Sequence, residues 1–95
     1  MKAARLYQSV RDFSIRVPVW AQAIRYQTLP DERYDLTLVS RRVYGNPDES
    51  LVIQAAAGLE STENELLEQL LTLPGPDQLR EMKRRAGYAN REIGS

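Results

Sequence analysis

The chain is 95 residues long, enough for one small domain, and its 13 Lys and Arg balance 13 Asp and Glu to a net charge of zero. It has no cysteine and no histidine, which removes disulfides, thiolate metal sites and the commonest general base, and this speaks against an enzyme. The opening MKAARLYQSVRDFSIRV lacks a signal peptide's apolar stretch, and no run approaches the roughly 20 apolar residues of a membrane span, so the expectation is a chain made in the cytoplasm with no membrane partner.

The zero sum conceals an uneven distribution. Residues 1–29 hold Lys2, Arg5, Arg11, Arg16 and Arg25 against Asp12, residues 30–77 hold ten acids against Arg33, Arg41 and Arg42, and residues 78–95 are basic again. Such a pattern bears on association and partner choice, not on fold. Either the basic ends fold back on the acidic middle or they meet another molecule.

In chain order, residues 3–12 read as a helix with Leu6, Val10 and Phe13 near one face, while FSIRVPVW alternates as a strand does. Pro18 would confine that strand to an edge. This segment, 1–22, is read either as a basic arm that docks on a neighbour or as cover for the domain's own open face. AIRYQT, residues 23–28, alternates as a half-buried strand with Ile24, Tyr26 and Thr28 on one side. Pro30 and Asp31 mark a turn, and the neighbouring acid Glu32 is explained by turn chemistry and solubility.

Asp35 is suited to cap a helix whose Leu36, Val39 and Val43 form an apolar stripe, and Gly45 ends it. Asn46 and Pro47 open a second helix, Asp48 and Glu49 complement its dipole, Leu51, Val52, Ala55 and Ala56 form its buried face, and Gly58 closes it. Residues 60–74 are open to two readings: a third helix started by the Thr62 and Glu65 capping box, or a strand QLLTLP ending at Pro74. PGPDQ then sets off a last helix over residues 77–86, with Lys83, Arg84 and Arg85 late in it and Gly87 after it. YANREIGS reads as a tail or an arm ordered by a partner.

Strand, DLTLVSRRVYGNP, SLVIQAAAGL and LLEQLLTLP together resemble the LysM pattern, in which a helix ending in Tyr-Gly, a second helix ending near Gly-Leu and a returning strand before Pro build a β-α-α-β module. Tyr44, Gly45, Asn46, Pro47 and Gly58 carry the resemblance as structural turn residues. It implies an α+β protein: a small LysM-like β-α-α-β core at 23–74, an N-terminal basic arm at 1–22, and a C-terminal basic helix and tail at 75–95. It favours the strand over the helix for residues 70–73.

The YGNP turn and the flanking extensions are most similar to LysM-like baseplate and tail proteins of contractile-tail bacteriophages. That likeness implies a structural virion protein with no cofactor, whose partners are other tail subunits in multiple copies. A peptidoglycan- or glycan-binding module is the alternative. It is less favoured because the chain carries one copy of the module and has Glu68 near the place of a family glycine. A helix-turn-helix DNA reader is a further alternative, but Asp48 and Glu49 at the tip of its recognition helix repel phosphate. Tyr26, Tyr34 and Tyr44 are expected in the core or at its rim. Arg5, Tyr7, Phe13 and Trp20, with Arg84 and Arg85, are the candidate interface residues, because aromatic side chains beside arginine are enriched where proteins meet.

Overall fold

A computed structural model describes residues 1–88, and the first of them form α1, Lys2–Arg16. The helix runs through FSIR, so the alternating strand does not form there. Its end is set by Pro18: Val17 takes the extended conformation that a residue before proline prefers, while its N–H still bonds to the Phe13 carbonyl. Leu6 and Val10 are buried, and the helix lies on the helix Ser50–Ala57 and touches the helix Pro76–Ala86 and the strand Leu70–Leu73.

Strand β1, Ile24–Gln27, pairs antiparallel with β2, Leu70–Leu73, in the register Ile24 to Leu73 and Gln27 to Leu70. Pairing settles the ambiguity of residues 60–74: the returning segment is a strand, with Leu71 and Leu73 buried and Leu70 exposed, as period-two geometry requires. Residues 61–64 form a turn held by the Asn64 side chain on the Ser61 N–H.

Between the strands lie α2, Leu36–Tyr44, and α3, Ser50–Ala57, each preceded by a short 3₁₀ turn, Pro30–Glu32 and Pro47–Glu49. The Asp35 carboxylate accepts from the Thr37 and Leu38 N–H groups, and Asn46 accepts from the Asp48 N–H. The α3 helix is central. Val52, Ile53, Ala55 and Ala56 are all buried, and α1, α2 and β2 pack around it, so its apolar surface extends beyond a single stripe. The last helix, α4, Pro76–Ala86, adds Leu79 and Ala86 to the same core.

One core therefore draws on all three segments divided at residues 22 and 74. The architecture is a small α+β fold of four helices and a two-stranded antiparallel sheet among the described residues. Tyr88 packs against this core, and Lys2 sits over its ring. The rest of the expected C-terminal tail, residues 89–95, lies outside the described residues.

Candidate functional site

The Tyr44–Pro47 turn is built from the inside. The Tyr44 hydroxyl donates to the Pro74 carbonyl at 2.6 Å, tying the end of α2 to the end of β2. The Ser40 hydroxyl donates to the Asn46 carbonyl at 2.6 Å and accepts from the Glu49 N–H at 2.9 Å. Lys83 of α4 closes the cluster with an ion pair to Glu49 at 2.7 Å. The cleft left between turn and helix holds about 160 Å³ and is lined by Tyr44, Asn46, Glu49, Leu79 and Lys83. That is below the roughly 300 Å³ of typical small-molecule pockets.

Burial, then the Glu49 carboxylate, raises the Tyr44 phenol above its ordinary value. A folded state that holds a proton more tightly than the unfolded one gains stability below the unfolded pKa, about 10 for tyrosine, and loses it as pH rises through the folded value. Tyr44→Phe is expected to cost about 1–2 kcal/mol at neutral pH, because the Pro74 carbonyl loses its donor. It should also flatten the fall in melting temperature above pH ~10. An alkaline slope unchanged from wild type would remove Tyr44 from this account.

A second network lies in the turn between β1 and α2. Glu32 is fully buried, which turn chemistry and solubility do not explain. Its carboxylate accepts from the Leu29 N–H at 2.6 Å, the Tyr26 hydroxyl at 2.5 Å and Arg42 at 2.9 Å. Arg42 also grips Asp31 through two nitrogens, and those bonds hold the Asp31 carboxyl below the usual carboxylate range. Beside this turn, the exposed Arg33 pairs with Glu65, and the Arg33 carbonyl accepts from the Leu66 N–H.

The candidate interface residues are dispersed. Tyr7 donates to the Leu59 carbonyl at 2.8 Å within the fold, and Phe13 is half-buried. Arg5 is exposed, and Trp20 stands in the turn after α1 with 84% of its surface accessible. Arg84 and Arg85 both bond to Glu81 on their own helix and bring its carboxyl down to about 2. Tyr26 and Tyr44 are half-buried, whereas Tyr34 is exposed, with Arg33 over its ring.

Arg11 carries a role that the sequence does not signal. It donates to the Ala55 and Ala56 carbonyls at 3.2 and 3.0 Å, placing a cation at the C-terminus of α3 where the dipole favours it. Gly58 follows with a positive φ of 73°, and a Cβ there would come within 2.9 Å of the Arg11 guanidinium. Gly58→Ala is therefore expected to cost about 1–3 kcal/mol, read as a lower denaturant midpoint, from left-handed strain and displacement of Arg11. Gly45→Ala, with the same left-handed backbone and open space around it, measures the strain alone.

Among the described residues, no helix is long and apolar enough to cross a membrane. Most buried polar groups are used in holding turns and helix ends, and the surplus is exposed apolar surface and unpaired charge. These features define a small α+β domain among the described residues. Comparison with protein-family models, curated proteins and solved structures gives no match to this chain.

Proposed function

We propose that this chain is a structural assembly protein of a contractile phage tail or baseplate. In this reading a LysM-like β-α-α-β core acts as a rigid connector, and the protein resides in the virion among other tail subunits. One observation carries the assembly role: Arg16 and Arg25, which flank the turn holding Trp20, make no ion pair among the described residues, and Trp20 is 84% exposed. An aromatic anchor amid unneutralised cations fits an acidic protein surface. The strand–helix–helix–strand order and the Tyr44 to Pro74 tie support the LysM-like element of the reading. Quantitative proteomics of purified particles should find the chain at stoichiometric levels with tail proteins, and absence from particles would overturn the proposal.

A glycan-binding reading draws on a different observation. A cleft of about 240 Å³ lies between residues 30–33 and 66–68, lined by Pro30, Arg33, Leu66, Leu67 and Glu68. Calorimetric titration with chitooligosaccharide or peptidoglycan fragments separates the two readings: saccharide binding without virion association favours the second.

A further inference from the structure

The two-stranded sheet gives the molecule two ends. At one, α1 finishes, the Ser14 hydroxyl donates to the Thr72 carbonyl at 2.6 Å, and β1 begins opposite the close of β2. This end carries the exposed apolar side chains Ile15, Val19 and Trp20 together with Arg16 and Arg25. At the other, about 10 Å further along the ladder at ~3.3 Å per residue, β1 leaves into the 29–34 turn and β2 arrives from the 60–69 segment. Leu29, Tyr34 and Leu67 are exposed there, Tyr34 to 70% and Leu67 to 62%, beside the cleft at Pro30 and Leu66.

The charge left over at the two ends is opposite. At the first end Arg16 and Arg25 make no ion pair among the described residues, against the one unpaired acid Asp12 a turn earlier on α1, and at the second neither Glu63 nor Glu68 is paired, while Arg33 is already neutralised by Glu65. Bringing two first ends together sets arginine against arginine, and two second ends set glutamate against glutamate. Only an unlike pairing matches charge while covering apolar surface on both sides.

We infer that copies of this chain associate head to tail, the Trp20 end of one on the Tyr34, Leu67 and Glu68 end of the next. A contact between different patches is heterologous, so it propagates into a ring if the rotation closes and a filament if it does not. With three exposed apolar side chains named at each end, where a standard interface takes roughly 20–30 residues a side, a single contact is weak and closure adds avidity. The inference deepens the assembly reading and rests on it for a biological setting, but it concerns the purified chain alone and fails separately. A chain found in particles yet monomeric in solution overturns the head-to-tail contact and leaves the assembly role standing.

The test is sedimentation of the full chain from about 1 µM to 1 mM, at low salt and near 1 M salt, where the screening length shrinks to about 3 Å. At low salt the mass should rise with concentration above the monomer's 10.9 kDa, and high salt should return it toward monomer. Trp20→Ala, at an exposed site that leaves folding intact, should weaken association about tenfold or more. Arg16→Glu and Glu68→Arg should each weaken it by a similar factor, and the two substitutions combined in one chain should restore it, with circular dichroism confirming that all variants fold. A monomer at every concentration overturns the inference. So does association untouched by Trp20→Ala, or charge reversals that show no mutual rescue.

Discussion

Deleting residues 1–19 is expected to abolish the cooperative melting transition, not to yield a folded core that has merely lost a partner. Removal of α1 uncovers the face of α3 on which it lies and takes away Leu6 and Val10 from the same core. It also removes the Tyr7 hydroxyl from the Leu59 carbonyl, Arg11 from the end of α3 and the Ser14 hydroxyl from β2. A domain of this size has only about 5–15 kcal/mol to lose. Leu6→Ala tests the same point within a full-length chain. Leu6 is 2% exposed, so the substitution should cost about 2–5 kcal/mol, a drop of roughly 10–30 °C in melting temperature. Arg5→Ala, one position away on the exposed side, should stay within about 0.5 kcal/mol of wild type. A truncated chain with native circular dichroism and a sharp melt would show instead that α1 is an appendage.

The legible parts of this fold are those decided within a few residues. Asp35, Gly45 and Gly58 delimit helices where their residue types allow it, because capping and left-handed backbone are local matters, whereas Asn46 and Pro47 open a 3₁₀ turn and α3 begins only at Ser50. The segment FSIRV satisfies both helical and strand periods, and what decides it is burial of Leu6 and Val10 against α3, which no local rule contains. Residues 70–73 become a strand through their register with β1, more than forty positions earlier.

The candidate site divides the same way. Tyr7 and Trp20 are both aromatic residues in a basic segment, yet one is bonded to Leu59, 52 residues away, and the other faces solvent. Composition marks the segment as charged and aromatic, and only the packing sorts the aromatic residues that anchor the fold from those left in solvent.

Glu32→Ala should lower stability by about 2–4 kcal/mol, the cost of leaving its hydrogen-bond donors without their buried acceptor, although nothing near Glu32 in sequence marks it as more than a turn acid. The change strands the Leu29 N–H and the Tyr26 hydroxyl and frees one side of Arg42. Glu32→Gln, which keeps shape and one acceptor, should cost about 1–2 kcal/mol. On the acid side the neighbouring Asp31, held low by Arg42, adds a contribution present above pH ~4 and lost as pH falls through its folded value. Chemical denaturation of both variants at neutral pH separates these effects, and an alanine variant melting within a few degrees of wild type would show that the network holds nothing. The consequence reaches beyond stability, because the turn that Glu32 fastens carries Leu29, Pro30 and Tyr34 at the acidic end of the molecule. Glu32→Gln, folded but with that turn loosened, should therefore weaken head-to-tail association while leaving the Trp20 end intact. Mixed with Trp20→Ala, which retains a sound acidic end, it should recover a one-to-one complex and no longer chains.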